Sequence, residues 1–262
     1  MRVELAYNTE FDDVVARSTA IELGGQLFYL SGGTLAGRKQ PDIDQKPNED
    51  IFTALSEESD AVDDPMLAVF VADGASSQKP IPELGATSGA RYASHTLKEM
   101  FEHTDVIEEP QLMLSGLNAA LRSDLERFSS VDYDDLNSLP TATGTIGRFN
   151  PATGRLDIGH VGDSFAMAQY EDDTTTLLTN NLHKQYDQAV LRLMKQIVEE
   201  RNITPREARK DPRISEAIMN MFQDTRNRPD GTGEGMINGD PNMDQYIHST
   251  SLSLKGVKAV LF

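Results

Sequence analysis

The sequence predicts a globular α+β domain with antiparallel sheets, and two observations support it: the order of its elements indicates the fold class, and its composition indicates a globular domain. Strand-like and helix-like segments occur in separate runs along the 262 residues, which favours antiparallel sheets over a doubly wound parallel sheet. Hydrophobic residues make up 38% and charged residues 25% of the chain, as in globular domains with a sizeable core. No internal repeat and no linker divides the chain, so we expect one domain over residues 1–262.

The first half of the chain predicts two strands followed by two helices. Residues 26–31 form a short strand, and the loop-like segment 32–50 carries three glycines and two prolines. Residues 66–72 are an unbroken apolar run, which is typical of a buried strand. Residues 84–102 and 110–128 carry apolar side chains at helical spacing, and Pro110 suits the start of the second helix.

The second half changes to short strands, then helices, then strands. Thr204 is followed by Pro205 and Glu207, the pattern of a helix N-cap with its capping box. The other elements that we predict here are strands at 141–150, 155–161, 165–170 and 175–179, a hairpin turn at 150–154, helices at 185–200 and 214–222, a loop at 227–235, an alternating strand at 246–254 and a buried strand at 257–262.

Composition excludes several classes of function. The chain has 24 basic and 42 acidic residues and a formal net charge of −18, which argues against nucleic acid or an anionic membrane as a partner. The absence of cysteine excludes disulfides and thiol nucleophiles. No apolar run reaches signal-peptide or membrane-spanning length. We therefore expect a soluble cytoplasmic protein.

Three acidic sites at the ends of predicted elements are the candidates for chemistry. Asp50 follows Glu49 before an apolar pair, Asp73 and Gly74 end the buried strand, and Asp163 lies between Gly162 and Ser164. Each alone is more typical of a turn, since Asp-Gly is a common hairpin signal. Together they supply the carboxylate and carbonyl oxygens that Mg²⁺ and Mn²⁺ prefer.

Other catalytic motifs are missing. The chain has no G-x-S-x-G, H-E-x-x-H or P-loop sequence. The glycine-rich segment GTGEGMING follows a polar stretch rather than a strand, so we interpret it as a loop. The five histidines are scattered, and we expect structural or exposed positions for them.

Six segments, in order, resemble the bacterial form of the type 2C metal-dependent protein serine/threonine phosphatases. The resemblance covers about residues 45–262. The segments are PNEDIF, LAVFVADGASS, TATGTIGRF, LDIGHVGDSFAM, NITPREARKDPR and INGDPNMDQYIHSTSLSLKGVKAVLF.

The resemblance implies a fold, a reaction and a set of site residues. The fold is two antiparallel sheets packed together and flanked by helices, with a helical flap at about residues 182–240. The reaction is hydrolysis of phosphoserine and phosphothreonine in proteins by water activated between two metal ions, Mn²⁺ or Mg²⁺.

The same resemblance assigns roles to the acidic sites. Asp73 would bridge the two ions and the Gly74 carbonyl would bind one of them. Asp50 would bind the other ion, with Glu49 behind it, and Asp163 would lie where some relatives hold a third ion. Asp50 and Asp73 are thus the predicted catalytic residues.

The sequence departs from the family pattern at several places, and two of these departures bear on function. Gln45 stands where the family has a phosphate-binding arginine, so Lys46 or Arg38 would have to take that role. The chain ends at Phe262, where relatives continue with further aspartate ligands, so we expect a fragment or a natural truncation. Two alternatives stay open: a catalytically impaired domain that binds a phosphoprotein, and an unrelated α+β domain whose acidic residues are turns.

Overall fold

The computed structural model describes residues 15–23, 26–34, 49–59, 62–75, 81–85, 87–150, 153–180 and 184–262. The strands in these ranges are β1 (Val15–Leu23), β2 (Gln26–Thr34), β3 (Asp50–Ser59), β4 (Val62–Ala75), β5 (Thr141–Asn150), β6 (Arg155–Val161), β7 (Met167–Tyr170), β8 (Thr175–Leu177), β9 (His248–Ser253) and β10 (Val257–Leu261). The helices are α1 (Gly89–Phe101), α2 (Pro110–Leu125), α3 (Lys184–Arg201), α4 (Pro205–Ala208) and α5 (Pro212–Thr225).

The strands pair in antiparallel fashion throughout. β3, β4, β5, β6 and β9 form a five-stranded sheet in that order, β10, β7 and β8 form a three-stranded sheet, and β1 pairs with β2. This arrangement confirms the predicted α+β class with antiparallel sheets.

One face of the five-stranded sheet is covered by α1 and α2. Side chains alternate along a strand, so Ala68, Phe70 and Ala72 of β4 all point to this face and join one apolar core with Leu97 of α1. The Phe70 and Phe101 rings pack with centroids 5.1 Å apart. Burial of these side chains fixes the helices against the sheet.

The opposite face of the same sheet packs on the three-stranded sheet. Leu156 and Ile158 of β6 share a second core with Val260 of β10 and with Phe262. Gly147 of β5 leaves room for the Phe262 ring, because a Cβ there would lie 2.2 Å from its Cζ. The result is the two-sheet, helix-flanked arrangement that the resemblance implied.

Helices α3, α4 and α5 surround a small core of their own, built on Ile197, Ala208 and Ile214. Thr204 caps α4 as predicted: the Glu207 carboxylate accepts from the Thr204 N–H at 2.8 Å, and the Thr204 hydroxyl accepts from the Glu207 N–H at 3.3 Å. That residues 182–240 form a flap stays a prediction.

The glycine-rich loop is fixed to α2 by one buried asparagine. Asn118 accepts from the N–H groups of Asn238 at 3.2 Å and Gly239 at 2.8 Å, and its amide donates to the Asp240 carbonyl at 2.8 Å. The interpretation of this segment as a loop is confirmed.

Several element predictions needed correction. α1 begins at Gly89 rather than at residue 84, because residues 82–84 form a separate turn of 3₁₀ helix and Ser88 caps α1. β10 exists, but its residues are half-buried or exposed rather than buried, because it is an edge strand of the small sheet. β1 and β3 were not predicted as strands, since their polar and apolar residues do not alternate regularly.

Most of the remaining boundaries agree closely. β5 and β6 have the predicted bounds, whereas β2 extends to Thr34 and α2 ends at Leu125. The strand predicted at 66–72 is longer at both ends and runs from Val62 to Ala75. Among the described residues, no helix combines the length and the apolar character needed to cross a bilayer.

Candidate metal centre

Asp50 and Asp73 face each other across neighbouring strands. Asp50 is the first residue of β3, and the β3–β4 register pairs it directly with Asp73. Cross-strand partners in an antiparallel sheet have Cβ atoms about 4.5–5.5 Å apart on the same face. Thr143 of β5 is the next residue in the same row, paired with Asp73 from the other side. The sheet register therefore creates a carboxylate pair from residues that lie far apart in the chain.

The neighbours of Asp73 favour its protonated form. Loss of water around the carboxyl, then a hydrogen bond with Asp50, then the charges of Asp50, Asp163 and Glu49 raise the pKa of Asp73 from its ordinary 3.8 to about 7. All of these influences act in the same direction. A site of this kind favours either a proton or a cation.

Asp73 and Gly74 are not a hairpin turn. β4 continues through both residues to Ala75, and each is paired with β5. The Gly74 N–H donates to the Glu49 carbonyl at 3.1 Å. A Cβ at Gly74 would lie 2.5 Å from the Ala90 carbonyl oxygen, so glycine is required here for the close approach of α1.

Glu49 connects the carboxylate pair to α1. Glu49 is only 7% exposed, and the Ser88 hydroxyl donates to its Oε1 at 2.5 Å. Ser88 is the N-cap of α1 and also accepts from the Arg91 N–H at 3.1 Å. The start of β3, the end of β4 and the first turn of α1 thus meet at one point.

Asp163 lies in an exposed turn that contacts Thr143, the cross-strand neighbour of Asp73. Gly162 has a φ of +83°, and a Cβ there would lie 2.3 Å from Thr143 Cγ2. The hydroxyls of Thr143 and Ser164 form a hydrogen bond of 2.7 Å. These contacts place Asp163 close enough for its charge to act on Asp73.

The structure brings together four of the predicted acidic residues, though not as a complete cluster. Within the described part of the chain, no three His, Cys, Asp or Glu side chains form a group that could hold a metal ion. Asp50 and Asp73 are a pair, with Glu49 and Asp163 further out. Lys46 and Arg38, the predicted phosphate-binding residues, lie outside the described residues.

Sequence reasoning missed three hydroxyl residues at the site. The Ser88 hydroxyl bonds to the Glu49 carboxylate, and the hydroxyls of Thr143 and Ser164 bond to each other beside Asp163. Only Ser88 had a usable signal, because serine directly before a helical pattern indicates an N-cap. The Thr143–Ser164 contact depends on strand pairing and has no local signal.

The comparison with protein families decides the identity. A family model described as "Protein phosphatase 2C" matches residues 42–217, about two thirds of the chain. The chain belongs to the protein phosphatase 2C family. The match includes Glu49, Asp50, Asp73, Gly74 and Asp163.

Solved structures of serine/threonine phosphatases resemble the chain at low identity. Stp1 from Staphylococcus aureus is 14% identical with a TM-score of 0.43, covering 97% of this chain and 77% of that chain. A PstP catalytic domain with two manganese ions is 16% identical with a TM-score of 0.38, covering 96% and 73%.

RsbX in complex with magnesium is 12% identical with a TM-score of 0.41, covering 97% of this chain and 72% of that chain. These likenesses are too distant to carry an argument about function. No curated protein sequence matches the chain.

Proposed function

We propose that this protein phosphatase 2C member hydrolyses phosphoserine and phosphothreonine in proteins, with Mn²⁺ or Mg²⁺ bound at Asp50 and Asp73. The observation that carries the proposal is the facing pair of carboxylates, Asp50 and Asp73, in which the pKa of Asp73 is raised to about 7. Membership of the family supplies the reaction class.

The donor set fits a hard divalent cation. Carboxylate oxygens of Asp50 and Asp73 and a backbone carbonyl at Gly74 are the ligands that such ions prefer. No cysteine is present, so softer thiolate-bound metals have no ligand here. When bound, the ions would supply activation of water and neutralisation of phosphate charge.

The chain's own residues would position that chemistry. Asp73 is paired with both Asp50 and Thr143, so the backbone that carries its carboxylate is fixed by two neighbouring strands. Asp163, on the turn that Thr143 and Ser164 hold, is the candidate ligand of a third ion. Lys46 or Arg38 is our candidate for holding the substrate phosphate. The substrate is a phosphoprotein, and we propose the cytoplasm as its location.

A second candidate is a domain that binds a phosphoprotein without catalysis. It is favoured by the absence, within the described residues, of a third side chain close enough to complete a metal group. It is also favoured by Gln45, which takes the place of the family's phosphate-binding arginine. Retention of Asp50, Asp73 and Asp163 opposes it.

One experiment separates these proposals. We expect p-nitrophenyl phosphate and a phosphothreonine peptide to be hydrolysed with Mn²⁺ or Mg²⁺ and not with EDTA. Asp73→Asn should abolish this turnover and weaken Mn²⁺ binding in calorimetry, whereas Glu99→Gln, which alters an exposed carboxylate on α1, should change neither. Turnover that survives in Asp73→Asn would refute the catalytic assignment. Phosphopeptide binding without any turnover in the unaltered chain would favour the second candidate.

A further inference from the structure

The Ser88 hydroxyl makes two different hydrogen bonds. As the N-cap of α1 it accepts from the Arg91 N–H at 3.1 Å, which needs only a lone pair on Oγ. It also donates its proton to Glu49 Oε1 at 2.5 Å. The second bond joins residues 39 positions apart and connects α1 to the start of β3.

Glu49 connects Ser88 to the carboxylate pair of Asp50 and Asp73. It precedes Asp50 directly, and its carbonyl accepts from the N–H of Gly74, which follows Asp73. Its carboxylate is buried, and a buried charge requires hydrogen-bond donors to keep it in place. A shift of the Glu49 side chain would therefore disturb the backbone that carries both aspartates.

The first turn of α1 and the Glu49 side chain pack closely against Gly74. A Cβ at Gly74 would meet the Ala90 carbonyl at 2.5 Å and Glu49 Cβ at 3.0 Å. The first turn of α1, the Glu49 side chain and the β4 backbone are thus in direct contact. Displacement of any one of the three must move the other two.

We propose that Ser88 is a positioning residue for the metal site, acting through Glu49. Its hydroxyl fixes the Glu49 carboxylate and so couples the start of α1 to the Asp50–Asp73 pair. The assignment rests on the proposed function, because it gives Ser88 a role in metal binding. Groups in the outer shell of metal sites that orient the ligands typically change metal affinity about 10–100-fold when they are removed.

Substitutions at Ser88 test the bond to Glu49. Ser88→Gly removes both bonds of the hydroxyl, but loss of the cap bond has little effect on the helix, because glycine is tolerated as an N-cap. Ser88→Thr keeps the hydroxyl and should restore both bonds. Thr204→Gly is the matched control, since Thr204 caps α4 and also donates to a glutamate, Glu207, at 2.7 Å.

We expect Mn²⁺ affinity, measured by calorimetry, to fall about tenfold in Ser88→Gly. It should be unchanged in Ser88→Thr and in Thr204→Gly. Combined with Glu49→Ala, the Ser88→Gly change should cause no further loss, because residues that act through one another are not additive. Unchanged Mn²⁺ affinity in Ser88→Gly would overturn the proposal. So would a tenfold lower Mn²⁺ affinity in the double variant Glu49→Ala/Ser88→Gly than in Glu49→Ala alone.

A second measurement uses the metal-free protein and does not depend on the proposed function. The Gly74 amide donates to Glu49, so its hydrogen exchange in EDTA should be about tenfold faster in Ser88→Gly than in the unaltered protein. Equal exchange rates would reject the coupling. If the unaltered protein binds no Mn²⁺, the metal site of the proposed function fails, and the Gly74 exchange rate still decides whether Ser88 fixes Glu49.

Discussion

Asp73→Asn should stabilise the metal-free protein at neutral and alkaline pH. Loss of water around the Asp73 carboxyl, a hydrogen bond with Asp50 and the charges of Asp50, Asp163 and Glu49 raise its pKa to about 7, whereas the ordinary value is 3.8. Ionisation of Asp73 therefore destabilises the folded state, and asparagine removes that ionisation while keeping a similar shape.

The sign and the size of the effect follow from the raised pKa. The folded protein binds the Asp73 proton more tightly than the unfolded chain, so its stability falls as pH rises from about 4 to 7. The rise from 3.8 to about 7 corresponds to about 4 kcal/mol without screening. Because Asp73 is only partly desolvated and still exposes surface to solvent, we expect water and salt to reduce this to about 1–2 kcal/mol.

Thermal unfolding in EDTA measures this effect. At pH 8 the melting temperature of Asp73→Asn should exceed that of the unaltered protein by about 2–8 °C, and at pH 5 by less. Glu99→Gln, on the exposed side of α1, should show no pH-dependent difference. Saturating Mn²⁺ should reverse the order, since only the unaltered protein gains binding free energy. An equal or lower melting temperature for Asp73→Asn at pH 8 in EDTA would refute the reasoning.

Two further predictions concern packing around the site. Gly74→Ala should lower the free energy of unfolding by about 1–3 kcal/mol in urea titration, because its Cβ would lie 2.5 Å from the Ala90 carbonyl oxygen. Gly116→Ala on α2 is the control and should raise the free energy of unfolding by about 0.4–1 kcal/mol, since nothing lies within 4 Å of its Cβ. If Gly116→Ala lowered the free energy of unfolding as much as Gly74→Ala, the steric explanation would be wrong. Asn118→Ala should cost about 3 kcal/mol, because it leaves buried groups of residues 238–240 without their partner. Urea titration measures that cost, and amide exchange at residues 238 and 239 should accelerate; unchanged exchange would show that Asn118 does not hold the loop.

Local signals in the sequence determined much of the fold. The capping pattern at Thr204 acts within four residues, and the strands at 141–150 and 155–161 are bounded by turn residues, so their bounds needed no tertiary information. β3 was missed because its apolar residues are buried on both faces of the sheet and show no alternation. The edge position of β10 depends on which strands lie beside it.

The sequence by itself also determined which residues could form the site. Acidic residues next to a buried strand, in the order of the family's motifs, singled out Asp50, Asp73 and Asp163. Only the tertiary structure decided that Asp50 and Asp73 face each other, that Glu49 is bonded to Ser88, and that Asp73 is part of a strand rather than a turn. Strand register and helix docking join residues distant in the chain, and the raised pKa of Asp73 arises from the desolvation and charges that this joining produces.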